Sequence, residues 1–158
     1  HNGFKGEETA SRAPYKQNAA LLKGRDYDMY DDENLCAVAR FCERGNSVWN
    51  YIEEGGEEAN KIAIEEACAC PSGRLTVVDK KGKVIEPKLE QGISATQDPA
   101  KNVRGPLWVK GGIEIEGADG ATYEVRNRVT LCRCGESSNM PFCDATHLNC
   151  PHMKGQDK

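Results

Sequence analysis

Eight cysteines in 158 residues constrain this chain more than any other feature. They fall in two groups, Cys36/Cys42/Cys68/Cys70 and Cys132/Cys134/Cys143/Cys150, with none between positions 71 and 131. Small domains bury a lower share of their surface and lean on metals or disulfides. With hydrophobic residues at 38%, the core here must be lean. An even cysteine count allows a secreted disulfide scaffold, but such frameworks spread their cysteines over the loops. Tight groups containing Cys-x-Cys suit metal ligation, so the spacing favours metal over disulfides.

The rest of the composition removes function classes. A formal net charge of −4 leaves no electrostatic footprint for nucleic acid. No apolar run approaches a membrane span, and the opening stretch HNGFKGEETASRAPYK lacks the apolar centre of a signal peptide. The expectation is a cytoplasmic protein, with no nucleic acid and no membrane. The chain starts at His1 and not at Met, so a targeting segment upstream stays open. No Ser/His/Asp set or phosphate loop stands out, and Glu53-Glu54 and Glu57-Glu58 read as a solvated face, so no enzyme is expected.

The patterning predicts an α+β protein of two small modules. Residues 1–15 read as a flexible arm, 16–87 as the first module, 88–105 as a linker and 106–158 as a β-rich second module. Asp31 and Asp32 offer N-cap chemistry. Leu35, Val38, Ala39 and Cys42 recur at helical spacing, which predicts a helix over about 33–43. A turn over 47–52 and a helix over 57–67 follow. Strands are predicted over 75–78 and 83–85 around a turn at 79–82, and one more near 93–96. Further strands are predicted at 107–109, 113–115, 123–125 and 128–132, and a short helix after Cys143.

The C-terminal group reads Cys132-Arg-Cys134, eight residues, then Cys143-Asp-Ala-Thr-His147. Soft thiolates, with imidazole in place of some, are iron–sulfur donors. Cys-x-Cys sets two thiolates on one side of a bend, close enough for one iron. Cys143 and His147 stand four apart, so on a helix they share a face and offer two donors to a second iron. Pro141 and Asp144 suit the start of that helix. A structural zinc site of three cysteines and one histidine is the competing reading.

The arrangement Cys-x-Cys-x-x-Ser-x-x-x-Pro-x-Cys-Asp-x-Thr-His, with Gly105–Gly112 and Arg126–Leu131 upstream, resembles the CDGSH iron–sulfur domain of the mitoNEET-like proteins over about residues 105–150. The resemblance implies a 2Fe–2S cluster on Cys132, Cys134, Cys143 and His147, with the histidine near solvent. It implies a one-electron carrier or a cluster donor, whose partner is a redox or cluster-acceptor protein. One neutral imidazole in place of a thiolate makes the site less negative. Its potential is therefore expected above all-cysteine clusters and below the two-histidine type. Ser137 is expected to bond a sulfur and Asp144 to order the loop. Ala145 stands where the family has glycine, and on a helix alanine is the better residue. Dimers sharing a β-cap in that family imply a homodimer here. Cys150 and His152 read as tail residues.

The N-terminal group, Cys36-Ala-Val-Ala39-Arg-Phe-Cys42 and then Cys70-Pro71-Ser72-Gly73, resembles the divergent single-cluster ferredoxins over about residues 25–80. Ala39 takes the place of the middle cysteine of the C-x₂-C-x₂-C run. The resemblance implies a second cluster on Cys36, Cys42 and Cys70. Three thiolates hold a 3Fe–4S cluster, and a 4Fe–4S cluster needs a fourth donor, for which Cys68 is nearest. The bland alternative is a set of buried free thiols. For the whole chain, the alternative to redox or cluster-delivery work is a zinc-stapled interaction module without redox activity.

Overall fold

A computed structural model describes residues 7–157. The chain is α+β, as the patterning predicts, with two antiparallel sheets and few helices. A short helix α1 (Tyr15–Asn18) leads into strands β1 (Ala20–Lys23) and β2 (Tyr27–Asp31). Helices α2 (Val48–Glu54) and α3 (Glu57–Ala69) follow, then strands β3 (Leu75–Asp79) and β4 (Val84–Ile85). The four strands form one sheet in the order β1-β2-β3-β4. Met29 and Val77 face each other across β2 and β3. They join Val48, Ile52, Ala63, Ala67 and Leu75 in the core under the two helices. The small alanines on the buried stripe of α3 let a helix pack closely on this sheet. Asp26 starts that helix from outside, its carboxylate accepting Gly56 N–H at 2.7 Å and Asn60 Nδ2–H at 2.8 Å.

The second sheet holds β5 (Gly92–Asp98), β6 (Val103–Lys110) and β7 (Arg128–Leu131), in that order. Val109, Tyr123, Val129 and Phe142 make its core. Beyond β7 the chain carries a sulfur-rich knot of Cys132, Cys134, Met140, Cys150 and Met153, all buried.

Several expectations need correcting. The segment read as a linker over 88–105 contains β5 and the start of β6, so the second sheet begins at Gly92. The helix expected over 33–43 is a loop between two short 3₁₀ turns, Glu33–Leu35 and Phe41–Glu43. Val38 and Arg40 take left-handed backbone there, at φ 56° and 63°. Such φ values are costly for residues with a Cβ, and they persist where the surroundings over-determine the chain. The residues 113–115 and 123–125 meet through a bridge between Glu116 and Thr122 and a Tyr123 N–H bond to Ile115 O, without forming ladder strands.

Of the arm expected over 1–15, residues 1–6 lie outside the described residues. Residues 8–12 are fastened to the second module. The N–H groups of Thr9 and Ala10 donate to Met140 O, and the carboxylate of Glu8 accepts from Ala118 N–H.

The two modules are stitched together by buried groups. Leu35, from the first, sits in the core of the second beside Val129 and Phe142. Arg128, at the start of β7 and only 2% exposed, reaches the other way. Its guanidinium donates to Ala67 O at 2.7 Å, Cys70 O at 2.6 Å and Leu75 O at 3.1 Å, and it pairs with the Glu86 carboxylate. Gly73 makes this contact fit: it holds φ +68°, and a Cβ there would collide with Arg128 O.

Candidate metal centres

Strand β7 delivers Cys132 at its end, and the return segment brings Cys143 back beside it. Cys132 N–H donates to Pro141 O and Cys143 N–H to Thr130 O. The four C-terminal donors then gather as two pairs. Cys132 Sγ lies 3.6 Å from Cys134 Sγ, and Cys143 Sγ lies 3.5 Å from His147 Nδ1. Metal–sulfur bonds of about 2.3 Å and metal–nitrogen bonds of about 2.1 Å set two donors on one tetrahedral ion roughly 3.6–3.8 Å apart. Each pair therefore suits one metal ion. Among the described residues no three His, Cys, Asp or Glu side chains surround a single point that could hold an ion. The two pairs together offer two donors to each of two ions.

The surroundings suit anionic sulfur. Gly135 N–H points at Cys132 Sγ at 3.3 Å, and Ala145 N–H at Cys143 Sγ at 3.4 Å. Burial pushes the Cys134 and Cys143 thiols up to about 12. Neutral thiols are what burial favours until a cation takes the place of the proton. Burial lowers the pKa of His147, so the ring favours its neutral, ligating form. Where the resemblance implies a histidine near solvent, His147 is only 4% exposed. Loop residues 37–41 of the first module and Pro106, Trp108 and Thr130 of the second sheet wall a groove beside it.

The helix expected to carry Cys143 and His147 is absent at its first turn. Ala145 is left-handed, at φ 72° and ψ 1°, and only Thr146–Asn149 is a 3₁₀ turn. The pairing of Cys143 with His147 is made by this sharp bend and not by helical spacing. The position thus calls for glycine, and the alanine is strained there. Asp144 orders the bend: its carboxylate accepts from Ser138 N–H at 2.9 Å, Ser138 Oγ–H at 2.6 Å and Thr146 N–H at 3.1 Å. Burial opposes ionisation, but these bonds outweigh it and hold Asp144 well below the usual carboxylate range. Ser137 bonds no cysteine sulfur. Its hydroxyl donates to Phe142 O at 2.6 Å and accepts Asn139 N–H at 3.0 Å.

Cys150 and His152 are not loose tail residues. Cys150 is buried against Cys132 and Cys134. His152 Nε2 donates to Cys134 O at 2.8 Å, and Arg133 pairs with Asp157. The last residues wrap the Cys-x-Cys bend and shield it from water.

In the first module, Cys36, Cys42 and Cys70 line one small cavity together with Ser72 and Arg74. Cys70 Sγ lies 3.4 Å from Ser72 Oγ. Burial pushes the Cys42 thiol up to about 11, and nearby Cys70 adds to the rise. Cys68 is not brought to this cavity. Its thiol points to Ile85 O at 3.8 Å, toward Arg128 and Glu86. One residue the spacing did not single out is Arg74. Its guanidinium forms two hydrogen bonds to Asp31, at 2.6 and 3.0 Å, and stands over the Trp49 ring. It therefore sets a fixed positive charge at the wall of a thiol-lined cavity. A basic residue four positions after Cys70, opening an otherwise apolar strand, was the signal in the sequence.

Two thiol-bearing centres lie one in each module of the α+β chain, and the two family models that match these modules support an iron–sulfur protein. Residues 104–148 match the family model described as iron-binding zinc finger, CDGSH type, and residues 22–80 match that of the divergent 4Fe–4S mono-cluster. The chain thus combines a CDGSH-type module with a divergent mono-cluster module. No curated protein and no solved structure matches it.

Proposed function

We propose that the C-terminal centre holds a 2Fe–2S cluster on Cys132, Cys134, Cys143 and His147, and that the protein works as a one-electron carrier. The pairing of donors at 3.6 and 3.5 Å carries this reading, because each pair supplies two ligands to one metal ion and the two pairs provide for two. When bound, such a cluster stores one electron with little movement of the protein. The chain's own residues do the rest. N–H groups of Gly135 and Ala145 support negative sulfur, the Asp144 bonds fix the bend, and Met140, Cys150 and Met153 keep water away. A second cluster occupies Cys36, Cys42 and Cys70, with Arg74 favouring the electron-rich state beside it. Three protein thiolates suit a 3Fe–4S cluster, and a 4Fe–4S cluster requires a donor other than Cys68.

Spectroelectrochemistry of the wild type and of His147→Cys tests this. A reversible one-electron step is expected, moving to lower potential in His147→Cys because a charged thiolate replaces a neutral ring. A colourless zinc protein, or a potential indifferent to the substitution, defeats the reading. Mixing with an apo-ferredoxin separates the two roles: retained iron marks a carrier, and transferred iron marks a donor of clusters.

A further inference from the structure

The two centres share a wall. Leu35 is buried in the same core as Phe142. Each is the chain neighbour of a thiol, Leu35 of Cys36 and Phe142 of Cys143, and neighbouring Cα atoms are about 3.8 Å apart. A direct bond fixes the same two segments, as Asn139 Nδ2–H donates to Asn34 O at 3.2 Å. Elsewhere Arg128 ties the two modules together through the carbonyl oxygens of Ala67 and Cys70, the latter a thiol-bearing residue of the first. The segment of the first module that carries Cys36 thus packs against the segment of the second that carries Cys143.

Leu35 and Phe142 are buried together at this contact, and a charge change across a buried core is screened less than one across open solvent.

We infer that the Leu35–Cys36 segment, seated against Asn139–Cys143, couples the two centres, so that the charge on one sets how readily the other is reduced. This rests on both centres holding iron, as proposed above. An added electron makes one site more negative, and the other then accepts an electron less readily. The chain loads its electrons in order and not independently. Neither donor set alone requires this; it follows from how the modules are docked.

Electron paramagnetic resonance during a dithionite titration of the full chain tests the coupling, with iron counted in the same sample. The signal of the C-terminal centre is expected to split or broaden at potentials where the N-terminal centre is also paramagnetic, and to sharpen where it is not. Cys70→Ala, which removes a donor of the N-terminal centre, is expected to leave that signal sharp throughout and shift its midpoint upward. Should Cys70→Ala not fold, the wild-type titration decides alone. Iron sufficient for both centres with an unchanging C-terminal signal overturns the coupling and leaves the proposed function standing. Iron sufficient for only one centre overturns the two-centre reading, and the coupling with it.

Discussion

The Arg128 guanidinium donates to the Cys70 carbonyl oxygen at 2.6 Å, tying the strand that leads into Cys132 to the turn that carries an N-terminal thiol. The arginine is buried, and its bonds run to backbone carbonyls and to Glu86. Removing one partner of such a set leaves the others unpaired, which costs about 3–5 kcal/mol. Arg128→Gln is expected to lower the chemical denaturation midpoint by that order and to reduce iron bound at both centres. A variant as stable as the wild type contradicts the strut.

Ala145 holds the bend between Cys143 and His147 at φ 72°. A left-handed alanine is strained, and glycine is not. Ala145→Gly is therefore expected to stabilise the folded chain by about 1 kcal/mol, read as a higher urea midpoint. A lower midpoint shows that the bend does not store strain.

The sequence made the four candidate donors legible and hid the means of placing them. Cys132, Cys134, Cys143 and His147 stand out by spacing alone, and the structure collects them into two pairs. Helical spacing gave the right partners for the wrong reason, since the left-handed backbone at Ala145, not a helix, joins Cys143 to His147. The same periodicity misled over 33–43. Leu35 turns to the other module's core, and Val38 and Arg40 bend the loop around the thiol cavity. Local pattern cannot report a partner fifty or a hundred residues away, which is why the reach of Arg128 to Leu75 and the bond of Asn139 to Asn34 were invisible. The strand at Gly92–Asp98 was legible only near 93–96, because the prolines and polar residues around it read as linker.

Cys68 and Cys42 are expected to behave differently despite their common group. Cys68 faces Ile85 O, whereas Cys42 lines the cavity with Cys36 and Cys70. Cys68→Ser should leave iron and sulfide content unchanged, and Cys42→Ser should lose the N-terminal share. Equal losses in the two contradict the assignment.

Asp26 links stability to pH. The bonds from Gly56 N–H and Asn60 Nδ2–H hold its carboxyl below the ordinary range. A depressed carboxylate stabilises the fold fully above its unfolded pKa of about 3.9. That contribution fades as pH falls from there through the lower folded value. Asp26→Asn is expected to melt below the wild type at pH 7, with the gap closing in acid. A gap that stays constant to low pH argues that the carboxylate charge is irrelevant to the start of α3.

Iron, zinc and acid-labile sulfide counted per chain in anaerobically prepared protein test the central claim most directly. Two iron–sulfur centres predict about five or six irons with matching sulfide and no zinc. One zinc per chain with no labile sulfide contradicts it.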